Sequence, residues 1–272
     1  MQVAYKKMHG TGNRILVVDQ RGEDRAPPSA RTLQVLGNDS TGPGFDQLMW
    51  VTDAIEPDNA ASYRVFNRDG SEVEQCGNGV RCVARMLAGC AAASLVFESP
   101  AGLVEARVLD NGDVSVSMGR PEFEPSRIPF RADAQASAYS LDLNGREFAV
   151  QVVSMGNPHC VLTVDDVDAA DVQSLGPLLE HHDRFPNGAN VGFMRIIDPG
   201  NIELRVHERG AGETLACGTG ACAAVVCGQQ SGLLEDEVKV RLPGGQVVVS
   251  WRRGTVWLTG NADLISEGSL DI

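Results

Sequence analysis

Two short stretches decide how this chain folds: Gln75-Cys76-Gly77-Asn78-Gly79-Val80 and Ala216-Cys217-Gly218-Thr219-Gly220-Ala221. They lie 141 residues apart. At that offset Arg64, Val65, Arg68, Glu72, Cys76, Gly77 and Gly79 fall without a gap on Arg205, Val206, Arg209, Glu213, Cys217, Gly218 and Gly220, seven identities in sixteen positions. Upstream the register drifts: Gly12-Asn13 falls near Gly156-Asn157, and Gln47 near Asn190. Two Gly-rich turns can resemble each other by chance. A match that carries Arg, Glu and Cys in register reads instead as two copies of one unit.

Beyond each Cys-Gly-x-Gly the chain turns apolar on every face, VRCVARMLAGCAAA over 80–93 and ACAAVVCG over 221–228. A helix apolar all round is a buried helix. Elsewhere short alternating or β-branched runs are bounded by Gly, Pro, Asn and Asp, at 103–109, 114–118, 148–153, 160–164, 238–242 and 247–251. These read as strands. The expected fold is α+β: two pseudo-symmetric lobes, each a curved, mainly antiparallel sheet or barrel around a central buried helix. The first lobe is expected over 1–120 with Cys76, joined by a returning C-terminus at 263–272, and the second over 121–262 with Cys217. Residues 120–133, with three prolines and no periodicity, read as the crossing between them.

Composition limits the function. With 36 acidic against 23 basic side chains the net charge is −13, and lysine occurs only at 6, 7 and 239. Such a field repels phosphate backbones and anionic lipid, so nucleic acid and membrane partners are not expected. No apolar stretch approaches the roughly 18 residues of a membrane span, and residues 1–10 lack an apolar signal region. A cytoplasmic protein is expected. Seven cysteines, at 76, 82, 90, 160, 217, 222 and 227, form no C-x-x-C pair. That odd set points to reduced thiols rather than a disulfide framework, and its spacing does not suit a metal site.

A free thiol titrates near 8.5 and works as a base at neutral pH only where its surroundings favour the thiolate. A cysteine at a helix start meets the positive end of the helix dipole and unpaired N–H groups. The glycines beside it let the backbone approach a carboxylate. Cys76 and Cys217 each have that context, whereas Cys82, Cys90, Cys160, Cys222 and Cys227 read as core. Two matched thiols suit the removal of a proton from one face of a carbon and its return to the other, which is racemisation or epimerisation. Pyridoxal phosphate usually supports such chemistry through a lysine. None of the three lysines has a Gly-rich or helix-start context, so no cofactor is expected.

In order along the chain stand Met8-His9-Gly10-Thr11-Gly12-Asn13, Gly44-Phe45-Asp46-Gln47-Leu48, Phe66-Asn67-Arg68-Asp69-Gly70-Ser71, Gln75 to Cys82, Met155-Gly156-Asn157-Pro158-His159, Asn190-Val191, Glu208 to Thr214, and Ala216 to Gly220. Together these blocks resemble the diaminopimelate epimerase family nearly end to end. The resemblance implies a cofactor-independent epimerase that interconverts LL- and meso-2,6-diaminopimelate in lysine biosynthesis. It implies Cys76 and Cys217 as the acid/base pair, with Gly77-Asn78 and Gly218-Thr219 binding the reacting carboxylate through their amides. Asn13, Gln47, Asn67, Asn157, Asn190, Glu208 and Arg209 match the family's substrate contacts, with Arg209 meeting the distal carboxylate. His159 and Glu208 match residues that adjust the thiol pKa values, and a homodimer is implied.

This chain departs from the family pattern at Arg14-Ile15, where Asp-Phe is common, in residues 37–44, and at Ser266, where many relatives carry a tyrosine associated with the dimer. Two other readings stay open at this point. One is a proline or hydroxyproline racemase-like enzyme, and the other is a thiol redox or ligand-binding protein.

Overall fold

The computed structural model describes residues 2–89 and 91–271. Cys90 lies outside the described residues. The elements in chain order are β1 (Gln2–Gly10), β2 (Asn13–Asp19), α1 (Ala30–Leu36), β3 (Gln47–Thr52), β4 (Ala61–Asn67), β5 (Glu72–Val73), α2 (Gly77–Ala88), β6 (Ala93–Ser99), β7 (Gly102–Val108) and β8 (Val114–Ser117). There follow β9 (Tyr139–Leu143), β10 (Arg146–Ser154), β11 (Pro158–Thr163), α3 (Val172–Glu180), β12 (Asn190–Asp198), β13 (Asn201–Glu208), β14 (Gly212–Thr214), α4 (Gly218–Gln230), β15 (Glu237–Leu242) and β16 (Gly245–Arg252), then β17 (Thr255–Gly260) and β18 (Asp263–Asp271). The chain divides into two compact units, one running to Ser117 and resuming at Thr259, the other Met118–Leu258.

In the first unit β18, β1 and β2 are antiparallel neighbours, β2 and β3 run parallel, and β3 and β4 antiparallel. β4 then pairs with the short β5 and, in parallel, with β6, which leads antiparallel through β7 to β8. α2 packs against β1, β2, β3, β7 and β8. Because those strands lie far apart along the pairing order, the sheet must curve around the helix, as the right-handed twist of strands allows. The other side of the sheet is closed by α1, whose Leu33 and Leu36 pack with Leu16, Val18, Phe45, Leu48 and Trp50.

The second unit repeats this order. β9 to β11 are antiparallel neighbours, β11 and β12 run parallel, and β12 and β13 antiparallel. β13 pairs with the short β14 and, in parallel, with β15, which meets β16 antiparallel. α4 packs against β10, β11, β12, β13 and β16. Its buried face is built from Ala, Cys, Val and Gly from Gly220 to Gly228. Small residues are needed there: a Cβ on Gly228 would come within 2.3 Å of Leu234.

The α+β expectation is met in each unit, a curved sheet around one buried helix, with two local corrections. The first apolar run does not stay helical to residue 93, because Gly89 takes φ 63° and caps α2, and Ala93 opens β6. Nor is the stretch 120–133 merely a crossing. Ile128 and Phe130 are buried in the second unit, with the Phe130 ring meeting Tyr139 edge-on at 4.7 Å and Phe185 tilted at 4.8 Å between centroids. Large apolar side chains drew those residues into the core, a pull that outweighed their lack of periodicity. The division therefore falls before Met118 and after Leu258. Among the described residues no helix is long and apolar enough to cross a membrane.

Candidate active site

Each unit carries the same turn from a short strand into its buried helix. Cys76 is the extended residue capping α2, with φ −142° and ψ 106°, and its Sγ accepts a hydrogen bond from the Gly79 amide at 3.2 Å. Cys217 caps α4 with φ −120° and ψ 111°. The first helical bonds, from the Val80 amide to the Cys76 carbonyl and from the Ala221 amide to the Cys217 carbonyl, are both 2.9 Å. The amides of Gly77, Asn78, Gly218 and Thr219 lie in the first turn, where no carbonyl of the helix can reach them. A Cβ on Gly220 would stand 3.3 Å from Cys217 Sγ and 3.0 Å from Val206, so glycine keeps the thiol and the strand close to the helix start.

The turn that leads into each helix is braced alike. Arg64 grips Glu72 with bonds of 2.7 and 2.6 Å, and Arg205 grips Glu213 with bonds of 2.6 and 3.0 Å. Two of the matched pairs in the repeat are therefore bidentate links between the last long strand and the short strand before the helix.

In the first unit the residues singled out from the sequence form one polar cluster. Asn13, which opens β2 just after the β1–β2 turn, donates through Nδ2 to Gln47 Oε1 at 3.3 Å. Gln47, at the start of β3, donates through Nε2 to Asn67 Oδ1 at 3.0 Å, and its Oε1 accepts from Cys76 Sγ at 2.7 Å. The register makes this possible, since Gln47 lies opposite Asn67 in the antiparallel ladder and beside Ile15 in the parallel one. Arg14 and the segment 37–44, two of the places where this chain departs from the family pattern, are partners. Arg14 Nη1 donates to Asp39 at 2.7 Å and Nη2 to Asp46 at 3.2 Å, which ties the loop that leads into Gln47 to the strand that carries Asn13. The two carboxylates hold the Arg14 guanidinium above its ordinary value.

In the second unit Asn157 ends the β10–β11 turn, next to the place that Asn13 holds at the start of β2, and Asn190 opens β12, the place of Gln47. Asn157 Nδ2 donates to Thr219 Oγ1 at 3.5 Å, and His159 Nε2 donates to Asn157 Oδ1 at 2.9 Å. Asn190 Oδ1 accepts from the Arg209 amide at 3.0 Å, and its Nδ2 donates to the Pro158 carbonyl at 3.3 Å. Arg209 Nη1 donates to the Asn187 carbonyl at 2.9 Å. Glu208, at the end of β13, accepts from Thr214 Oγ1 at 2.5 Å, and Cys217 Sγ lies 3.5 Å from Thr219 Oγ1.

Electrostatics separates the groups. Burial, then the charge of Glu208, pushes the Cys217 thiol well above the ordinary range. Burial, helped by Arg209, pulls His159 down to about 3, so its imidazole is neutral near pH 7. Cys82 and Cys227 are buried and pushed up to about 12, and Cys160 is raised as well. With the buried Cys222 they are core thiols.

Four residues in this region were not singled out from sequence. Arg81 is fully buried in α2 and donates to Thr11 Oγ1 at 2.9 Å and to the Asn261 carbonyl at 3.2 Å, which pins the turn before Asn13. Thr214 holds the Glu208 carboxylate. Glu180 and His207 form a buried pair, with Nε2 to Oε2 at 2.8 Å. An arginine in an apolar helix run and a lone His in a strand carry no functional signal in one sequence.

Comparison with known proteins bears on the family and the fold. The family model for diaminopimelate epimerase matches residues 5–124 and 151–265. Diaminopimelate epimerase of Alkalilimnicola ehrlichii is 48% identical over 277 residues, covering 99% of either chain, and that of Thioalkalivibrio sulfidiphilus is 46% identical over 281 residues, covering 100% of both. Among solved structures, a hydroxyproline epimerase from Agrobacterium vitis has TM-score 0.71 at 16% identity, covering 99% of this chain and 92% of that one. A phenazine biosynthesis protein from Bacillus anthracis has TM-score 0.69 at 17% identity, covering 100% of both. These two show a shared fold. From the near full-length identity and the match of its family model, the chain belongs to the diaminopimelate epimerase family.

Proposed function

We infer that this protein interconverts LL- and meso-2,6-diaminopimelate without a cofactor, with Cys76 and Cys217 as its acid/base pair. The observation that carries the reading is the duplicated helix start: a cysteine at the N-cap followed by first-turn amides that the helix's own carbonyls cannot reach, once in each unit. One thiolate takes the α-hydrogen as a proton and becomes a thiol. The electron pair passes into the α-carboxylate, where the amides of Gly77, Asn78, Gly218 and Thr219 meet the developing charge. The other thiol returns a proton to the opposite face and becomes the thiolate. Substrate is inverted, and the two sulfurs have exchanged states. The raised Cys217 thiol suits the donor role in the direction in which Cys76 takes the proton.

Asn13, Gln47, Asn67, Asn157 and Asn190 supply amide donors and acceptors for the substrate's ammonium and carboxylate groups, and Arg209 supplies a bidentate partner for the distal carboxylate. Glu208 and His159 set the local field. The test is a stereochemical assay by NMR on reduced protein, with LL-diaminopimelate, meso-diaminopimelate, L-proline and trans-4-hydroxy-L-proline as separate substrates. Inversion of the diaminopimelates alone supports the reading, whereas inversion of a proline alone contradicts it.

The same reading takes the protein as a cytoplasmic homodimer. Residues 263–269 of β18 are exposed, with Leu264 at 53% and Ile265 at 48%, a surface suited to a second copy. Sedimentation should give twice the chain mass, and Ile265→Lys should shift it toward the monomer. A monomer at micromolar concentration contradicts this part.

A further inference from the structure

Both oxygens of one buried carboxylate are committed in the second unit. Glu180, the last residue of α3, is 4% exposed. Its Oε2 accepts from His207 Nε2 at 2.8 Å, its Oε1 accepts from the Gly210 amide at 2.9 Å, and its carbonyl accepts from the Ala189 amide at 3.3 Å. The exposed His181 lies 3.7 Å from Oε1. These contacts reach both segments that hold Arg209. Gly210 follows it directly, and residues 187–190 supply the Asn187 carbonyl and Asn190 Oδ1 that bind its side chain and amide. His207 in turn is seated against α3 at Gly176, where a Cβ would stand 2.6 Å from the imidazole.

We propose that Glu180 is a positioning residue for substrate recognition: paired with His207, it fixes the 208–210 turn and thereby aims the Arg209 guanidinium at the distal carboxylate. A side chain as long as arginine binds strongly only where its backbone is held, because ordering it costs conformational entropy. The two hydrogen bonds of Glu180 supply that order from behind the turn. The proposal rests on the reading of Arg209 as the distal-carboxylate partner, and its test separates the two.

Steady-state epimerisation of LL-diaminopimelate is measured for Glu180→Ala, Glu180→Gln, Arg209→Ala and the Glu180→Ala/Arg209→Ala double variant. Glu180→Ala should raise KM by about tenfold with kcat changed less than about threefold, the signature of lost binding rather than lost chemistry. Glu180→Gln keeps an acceptor for one of the two donors and should recover most of that KM. In the Arg209→Ala background Glu180→Ala should add less than about twofold, because both remove one interaction. If Glu180→Ala does not fold, Glu180→Asp, too short to span both donors, carries the same expectation. An unchanged KM in the folded variant, or a full additional loss on top of Arg209→Ala, overturns the proposal. An unchanged KM in Arg209→Ala overturns the reading of Arg209 instead.

Discussion

The Gly79 amide donates to Cys76 Sγ at 3.2 Å, three residues into the helix that the cysteine caps. The cap satisfies one first-turn donor with sulfur and leaves the neighbouring amides to face a ligand. A serine or aspartate would cap the helix as well but would not offer a thiol, which can serve both as a proton donor and, once ionised, as a base. Stability alone therefore does not explain cysteine at this position, or its repetition at 217.

Cys76→Ala and Cys217→Ala should each lower kcat/KM for epimerisation by at least about a thousandfold, since inversion needs a group on both faces. Circular dichroism and thermal melting confirm that the variants are folded. Turnover within tenfold of the parent in either variant contradicts the two-thiol mechanism.

Glu208 raises the Cys217 thiol through its charge, after burial the largest cause. Glu208→Gln removes that charge, so the thiol should lose its proton at lower pH. Because Cys217 must hold a proton to act as the donor, the alkaline limb of kcat/KM should move to lower pH even if the maximum falls. A limb unmoved, or moved upward, contradicts the assignment.

His159 is neutral because burial disfavours its charged form, with Arg209 adding to the effect. Its Hε1 resonance should stay constant between about pH 5 and 8, where an unperturbed imidazole titrates. A midpoint inside that range would show an imidazole that charges during the working pH of the enzyme. The acid limb of the rate profile should likewise survive His159→Gln.

The buried thiols make stability depend on alkaline pH. Cys82 and Cys227 are raised to about 12 and Cys160 and Cys217 are also raised, so the folded state keeps protons that the unfolded chain releases above about 8.5. The unfolded state then binds fewer protons, and unfolding free energy falls as pH rises, by about 1.4 kcal/mol per pH unit per thiol until the folded value is reached. Stability is complete below about pH 8 and declines above it. Melting temperatures under reductant from about pH 7.5 to 10 should drop steeply, and Cys160→Ala should flatten the drop.

Much of this was legible in the sequence because the repeat marks it. Cys76 and Cys217 stand out by duplication, and Arg64 with Glu72 proved to be a bonded pair matched by Arg205 with Glu213. The amide positions were legible through Gly-Asn turns and the drifting upstream register of the repeat, which fits their places at equivalent strand ends. What stayed hidden depends on long-range packing. Ile128 and Phe130 join a core whose members are spread from Tyr139 to Phe193, Phe185 more than fifty positions downstream among them. Arg14 and Asp39 are bonded across 25 residues, and Glu180 and His207 across 27, with no periodicity to link them.

The two-thiol claim is tested most directly by epimerisation of a single stereoisomer in D2O, with substrate and product separated at early times and deuterium counted at the α-carbon. Two monoprotic thiols on opposite faces predict product deuterated at the inverted centre while recovered substrate remains protiated. Deuterium appearing equally in recovered substrate and product from the first time points would mean one group serves both faces, and would contradict the mechanism.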